Sequence, residues 1–443
     1  MRSSNDTIAF IATPLGEGGI GVVQVSGPQA TEIAGKLFKG KSASSRADLT
    51  KAASGGLFYG TIHDSEGLID EVLVSVWRAN ESFTGEELVE INCHGGIIAV
   101  RKIMEALLKS GAREGTWEEL LDRADFHSDH KFQKEGLDFV QKEALLLLPR
   151  ARTKLAANML LTQYEPTANG LSQERRRLEG EVKRLKMKIM DCDTSEFTVT
   201  VALLLSGLEA LVDSSPFGLA LMNPLKVTIA GAPNVGKSTL FNALLREDRA
   251  LVHHEPGTTR DYVSEYLSIK GIPLELIDTA GLRETDGVEK VGVAWARKLH
   301  QEANKIILVL DASRPITQEE REFVCTLDTQ KVVPVLNKID LGINLEVKEL
   351  ERLFSLSPCK VSALGGKGVD DLEKMLIKDF LSDIEKGPHR PIIFTQRQKG
   401  LVEEALDLAR GFPKNKVCDC FTASEVCEKL DKLERLLHTA PRA

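Results

Sequence analysis

Gly231-Ala232-Pro233-Asn234-Val235-Gly236-Lys237-Ser238 follows a short apolar run, Val227 to Ala230, and precedes a helix-forming run, Thr239 to Leu245. A glycine-bracketed loop between a buried strand and a helix is the P-loop arrangement. Gly231 and Gly236 let the backbone turn so that its N–H groups face a β-phosphate. Lys237 supplies a point charge between β- and γ-phosphates, and the Ser238 hydroxyl is a Mg2+ ligand. Asn234, Val235 and Thr239 complete the candidate contacts of this loop.

Outward from the loop, strand-like runs alternate with helical periodicity from Leu225 to about Phe380: Val227 to Ala230, Leu274 to Asp278, Ile306 to Asp311 and Val332 to Asn337. Such alternation predicts a mostly parallel sheet with crossover helices. Asp278-Thr279-Ala280-Gly281 ends the second run, where Asp278 is placed to hold a Mg2+-bound water and Gly281 lets a backbone N–H approach the γ-phosphate. Thr259, in Gly257-Thr258-Thr259, is placed to close the Mg2+ shell when a γ-phosphate is present. Asn337-Lys338-Ile339-Asp340 follows the fourth run. The Asp340 carboxylate accepts two hydrogen bonds from guanine N1–H and its 2-amino group, a donor pair that adenine lacks. Ser362-Ala363-Leu364 adds a backbone N–H for the guanine oxygen. The four motifs predict a GTP site.

Hydrolysis needs a group that orients water. Ras-type sites carry Gln after this Gly, whereas Leu282 follows Gly281 here. Arg283, Glu284, Asp286 and Glu289 are the candidates in the same loop, each of them also readable as a solvated loop charge.

The 443-residue chain holds 57 basic and 65 acidic residues, a net charge of −8, so it lacks the overall basicity of a general nucleic-acid binder. A local basic run, Arg175-Arg176-Arg177 with Lys183, Arg184, Lys186 and Lys188, lies on one amphipathic helix, as a solvated face or an RNA-facing one. Seven scattered cysteines argue against a disulfide framework. No run of 18 residues is uninterruptedly apolar, and Met1 to Ile11 resembles neither a secretory nor a transit signal; a cytoplasmic protein without a membrane span is expected. Asp6 to about Ala112 reads as mixed α/β, and Arg113 to Met222 reads as helix. Gln396 to Leu437 returns to helical texture, so the G domain reads as an insertion into a helical domain.

Asp6-Thr7-Ile8, Thr13-Pro14, Gly18-Gly19-Ile20-Gly21, Ser82-Phe83-Thr84-Gly85-Glu86 and Cys93-His94-Gly95-Gly96 precede the G domain. Asp278 to Glu284 and Val288-Glu289-Lys290-Val291-Gly292 lie within it. Together they resemble the MnmE (TrmE) family of tRNA modification GTPases, within the TrmE-Era-EngA-YihA-Septin-like class. The resemblance implies a multidomain α/β plus all-α fold: a folate-binding, dimerising α/β domain at 1–115, a helical domain at 116–224 and 382–443, and an inserted GTPase domain at 225–381. It implies face-to-face dimerisation of G domains around K+, which replaces an arginine finger, with Glu289 polarising the attacking water. By the same resemblance Asn234 and the loop His253, His254, Glu255, Pro256, Gly257 and Thr258 serve GTP and K+. Partners implied are a second copy of the chain, tRNA and a flavin-dependent MnmG (GidA)-type protein, with a tetrahydrofolate derivative as one-carbon donor.

Several positions depart from the family pattern. Gln24 stands where the family has an Arg expected to bind folate, while Glu90 matches a folate-contacting position. The segment from Arg113 to Lys131 keeps Arg123-Ala124, and the family Lys is replaced by Asp129 or displaced to Lys131. His253-His254-Glu255 replaces Ser/Thr and Asp. The chain ends without the family's Phe-Cys-Ile/Val-Gly-Lys, and Cys418, Cys420 and Cys427 read as buried or incidental thiols. Two rival functions share the G domain: a switch or scaffold GTPase without modification chemistry, and a ribosome-assembly GTPase of the Era or Der type.

Overall fold

A computed structural model describes residues 6–41, 48–79, 81–123, 138–165, 169–190, 197–246, 263–278, 299–354, 356–412 and 420–438. The chain divides into two compact units, residues 1–142 and 143–443.

In the first unit β1 (Ile8–Ile11), β2 (Ile20–Ser26), β3 (Phe38–Gly40), β4 (Gly56–Asp64), β5 (Gly67–Trp77), β6 (Leu88–His94) and β7 (Arg113–Glu114) make one sheet, ordered β3-β4-β5-β6-β2-β1-β7. Helices α1 (Ala30–Leu37) and α2 (Ile97–Lys109) cover one face. Alternate residues such as Val23, Val25, Val72, Val74, Val89 and Ile91 meet Ile33, Ile103 and Leu107 there, as the two-residue strand period requires. The opposite side chains of β1, Ile8 and Phe10, meet Leu120 and Trp117 of α3 (Trp117–Arg123). On the second face Leu57, Tyr59, Leu73 and Trp77 remain exposed. The division between units falls inside α4 (Phe139–Leu147).

The second unit begins with α5 (Lys154–Tyr164), α6 (Leu171–Met190) and α7 (Phe197–Met222). A six-stranded sheet follows: β8 (Leu225–Ala230), β9 (Val263–Ile269), β10 (Ile272–Asp278), β11 (Lys305–Asp311), β12 (Val332–Asn337) and β13 (Cys359–Lys360), ordered β13-β12-β11-β8-β10-β9. All neighbours are parallel except the β9–β10 hairpin. The four strand runs expected from the sequence are all present. Helices α8 (Lys237–Leu244), α9 (Gln318–Cys325), α10 (Val347–Phe354), α11 (Val369–Leu376) and α12 (Leu381–Lys386) accompany this sheet, and α13 (Gln396–Arg410) and α14 (Cys420–His438) end the unit. Capping boxes at Thr317–Glu320 and Thr395–Gln398 start α9 and α13 by satisfying N-terminal N–H groups.

Helices from before and after the sheet segment share one core. α7 packs against α6 and α13, and α14 packs against α6 and α13, burying Leu178, Leu185, Leu204, Leu208, Leu430 and Leu433. By length and mean composition Phe197–Met222 is apolar enough to cross a membrane, although Ser, Glu, Asp and Pro interrupt it. Its Leu204, Leu208, Leu211 and Phe217 are buried by neighbouring helices and segments, the environment of a core helix. On α6 the basic run is largely ion-paired: Arg175 with Glu179, Arg177 with Glu174, Arg184 with Glu181, and Lys186 with Asp431 and Glu434. Arg175 and Lys186 are turned toward α14 and partly buried, whereas Arg176, Arg177, Lys183 and Arg184 are exposed, so the run is split between two faces of the helix.

Gly218 is the point where α7 crosses the segment 392–394. A Cβ there would lie 2.1 Å from the Ile393 carbonyl oxygen, and Ser214 Oγ accepts a hydrogen bond from Ile393 N–H at 3.1 Å. Gly218→Ala should force the crossing apart and cost about 1–3 kcal/mol. Thermal unfolding checks this: the melting temperature should fall by about 2–4 °C per kcal/mol, and an unchanged curve would show that the crossing yields freely.

Candidate nucleotide site

The site lies outside the carboxyl ends of parallel strands. The chain runs from β8 to β10 on one side and then to β11 on the other, so the switch in strand order falls at β8, where α/β sheets open a ligand crevice. The loop after β8 has three left-handed residues, Gly231 (φ 145°), Asn234 (φ 62°) and Gly236 (φ 96°). Glycine is demanded twice by space as well. A Cβ on Gly231 would lie 2.4 Å from Val309 O, and one on Gly236 would lie 2.3 Å from Asn337 Nδ2. The backbone therefore forms a cradle that only glycine permits, which suits close approach by phosphate. Lys237 and Ser238 open α8, whose first N–H groups lack helical partners. Lys237 Nζ donates to Ala232 O at 2.8 Å, so its ammonium lies over the loop. Val235 is buried; Ser238 and Thr239 are exposed.

Asn337 ends β12 as a buried side chain and joins two loops. Its Nδ2 donates to Val235 O at 2.9 Å, and its Oδ1 accepts from Ala363 N–H at 3.0 Å. Lys338, left-handed at φ 63°, donates from Nζ to Asn234 O and to Asp311 Oδ2, both at 2.7 Å. Asp340 is exposed at the crevice end. Ser362 is buried, its N–H donating to Lys367 O, and Leu364 is 88% exposed. Phosphate-loop and base-loop candidates are thus brought together through Asn337.

Asp311 and Ser313 belong to the site and escaped the sequence reading. Burial pushes the Asp311 carboxyl up, but hydrogen bonds from Lys338 and Ser313 outweigh it and leave the pKa below the ordinary value. The one sequence signal is an Asp closing the apolar run Ile306 to Asp311; its place beside Asn337 and Lys338 comes from the pairing of β11 with β12. Asp278 ends β10. His253, His254, Glu255, Pro256, Gly257, Thr258, Thr259, Thr279, Ala280, Gly281 and Glu289 lie outside the described residues, as do Arg283, Glu284, Asp286 and Lys131.

In the first unit Gln24 is buried and donates from Nε2 to Glu90 Oε1, while Ser75 Oγ donates to Glu90 Oε2 at 3.2 Å. Gln24 Oε1 is buried with no hydrogen-bond partner among the described residues. An orphaned acceptor beside a carboxylate fits a ligand edge rich in N–H donors, which the pterin ring of a folate offers.

A glycine cradle at the head of a parallel sheet, locked to an Asn-Lys pair at the end of the strand two places along it, defines a P-loop GTPase, and residues 226–338 match the family described as 50S ribosome-binding GTPase. Residues 7–128 match the GTP-binding protein TrmE N-terminus. The tRNA modification GTPase MnmE of Lactobacillus acidophilus is 37% identical over 414 residues, spanning 90% of this chain and 86% of that protein. Its counterpart from Lactobacillus delbrueckii subsp. bulgaricus is 39% identical over the same coverage, and that from Bacillus pumilus is 38% identical over 91% of this chain and 90% of its own. The chain belongs to the tRNA modification GTPase MnmE family.

Asn337→Ala should weaken GTP and GDP alike by roughly tenfold or more, because Val235 O and Ala363 N–H lose their partner in a buried setting. Calorimetric titration of both nucleotides checks it. The Asp311 contribution has a definite sign: its folded pKa is depressed, so its stabilisation is full above the unfolded value near ~3.9 and is lost as pH falls through the folded pKa. Asp311→Asn should flatten that part of the acid-unfolding curve.

Proposed function

We propose that this GTPase serves modification of the wobble uridine of tRNA, of the 5-carboxymethylaminomethyluridine type, as a homodimer working with a flavin-dependent MnmG (GidA)-type partner in the cytoplasm. The observation that carries the reading is the Asn337 bridge between phosphate and base loops, in a chain whose first unit matches the TrmE N-terminal family. The reading assigns three working parts: 1–115 for folate and dimerisation, 116–224 with 382–443 as the helical body, and 225–381 as the GTPase domain.

In this reading Asn234 to Thr239 cradle the phosphates, with Lys237 as their point charge. Ser238 and Thr259 ligate Mg2+, while Asp278 holds one of its waters. Thr279, Ala280 and Gly281 bring backbone to the γ-phosphate. Asn337, Lys338 and Asp340 with Ser362, Ala363 and Leu364 surround the guanine. Asn234, His253, Glu255 and Thr258 hold K+, with His254, Pro256 and Gly257 completing that loop, and Glu289 orients the attacking water. Bound cations supply positive charge to the phosphoryl oxygens, where charge develops during transfer. Gln24 and Glu90, with Lys131, hold the tetrahydrofolate derivative.

Two measurements test the chemistry. Asp340→Asn should weaken GTP about 10- to 100-fold and improve xanthosine nucleotides, since xanthine carries an acceptor where guanine has its amino group. Equal ATP and GTP affinity in the unaltered chain would refute the base assignment. Glu289→Ala should lower kcat about a hundredfold or more with GTP affinity nearly unchanged, because the group acts on water in the transition state. KCl in place of NaCl should raise both hydrolysis rate and G-domain dimerisation; indifference to the cation would remove K+ from the mechanism.

A further inference from the structure

On the face of the N-terminal sheet opposite α1 and α2, four side chains form a lateral row across β5, β6, β2 and β1. Ser75 stands opposite Glu90, Glu90 opposite Gln24, and Gln24 opposite Phe10. The row contains one carboxylate and no cation. It ends in an aromatic wall, with Phe10 and Trp117 ring centroids 6.4 Å apart and Trp117 and Phe83 centroids 6.1 Å apart. Two polar atoms here are buried without a hydrogen-bond partner among the described residues, Gln24 Oε1 and Trp117 Nε1. Gln24 is only 7% exposed. Its orientation is fixed by chemistry: turning the amide over would set its oxygen against the Glu90 oxygen, acceptor against acceptor. The amide oxygen is therefore the atom left over, and buried polar atoms are seldom left unmet.

We infer that Gln24 sets the specificity of this face: it reads the ring of its ligand and ignores an anionic tail. The inference rests on the folate reading above. With the amide nitrogen committed to Glu90, the free Oε1 and the carboxylate together present acceptors to adjacent N–H groups, the 2-amino-4-oxo edge that pterin and guanine share. Trp117 Nε1 is the complementary donor beside a flat aromatic wall. An Arg at position 24, as the family resemblance places there, would offer donors only and pair with carboxylates, including those of a glutamate tail. Here the row, in which Glu90 bonds to Gln24 and Ser75, offers such a tail no cation, so added glutamates gain nothing from it.

The test is calorimetry on the full-length chain with GDP already saturating the P-loop. Ligands are tetrahydropterin without a tail, 5-formyltetrahydrofolate with one and with three glutamates, and guanosine. The two folates should bind within about threefold of each other, and Gln24→Leu should weaken both and the pterin by roughly tenfold. Gln24→Arg should make affinity rise with glutamate number. Trp117→Phe keeps the ring and removes the donor, and should weaken the pterin severalfold; it serves if Gln24→Leu fails to fold. Affinity of the unaltered chain that climbs with glutamate number, or indifference to Gln24→Leu in a folded protein, overturns the inference and leaves the folate reading standing. Absence of binding by every pterin and folate overturns both. Guanosine bound as tightly as pterin, with the same response to the variants, upholds ring reading by Gln24 and overturns folate as the ligand.

Discussion

The nucleotide site depends on one side chain, the carboxamide of Asn337. One end donates to Val235 O in the phosphate loop and the other accepts from Ala363 N–H in the base loop, while its backbone carbonyl accepts from Ala312 N–H. At 2% exposure these bonds act in a medium that strengthens them and penalises their loss. The same atom explains a glycine. Gly236 is required by its left-handed φ and also because Asn337 Nδ2 occupies the place of its Cβ. Lys338 extends the joint with a charge, reaching Asn234 O on one side and Asp311 on the other. The candidate phosphate and base loops are consequently tied together, their polar groups oriented by one another.

How much of this was legible follows from how local each signal is. The P-loop strand and helix, the three later parallel strands and the helices Ala30–Leu37 and Gln396–Arg410 are announced by runs whose periodicity belongs to one element. β9 carries no such run: Glu265 and Tyr266 break its alternation, and its support is the neighbouring β10 rather than its own pattern. β4 was missed for a similar reason: Leu57 and Tyr59 point away from the core and Gly60 and Thr61 interrupt the run. Among candidate site residues, motif spacing singles out Asn337, Lys338 and Asp340. It marks Asp311 only as the polar end of a strand run; the bond to Lys338, 27 positions later, exists only once β11 and β12 pair.

The first unit shows the same dependence on distant pairing. Arg123, a surviving fragment of a degraded family segment, has a side chain only 9% exposed and binds both Asp6 and Glu119. Arg113 joins the same two carboxylates, and its hydrogen bond is the main cause of the lowered Asp6 pKa, against a smaller opposing push from burial. The network fastens α3 to the start of β1, which keeps Trp117 over Phe10. The burial and pairing of Arg123 are thus accounted for by the fold of the aromatic wall.

Insertion of the GTPase segment into a helical core raises a closure problem, because helices before and after it must still meet. The structure answers with a single helix. α7 leads through two residues into β8, and the exit of the segment returns to that helix: Phe380 lies 6.4 Å from Phe217 between ring centroids, and the Arg390 guanidinium lies 5.6 Å from the Phe217 ring. Entry and exit are held together on α7, so α13 and α14 complete the core with little loop entropy to overcome. A second fastening acts on the hairpin. Thr153, which caps α5, donates to Gly271 O at 2.7 Å in the β9–β10 turn, and Arg152 stacks over Tyr266 at 4.2 Å. That hairpin begins after Gly257-Thr258-Thr259 and ends at Asp278. The helical body therefore grips, from α5 and from α7, the antiparallel pair whose strands carry the chain from one nucleotide motif to the next, so displacing those strands means breaking the Thr153–Gly271 bond and the packing of β10 on α7.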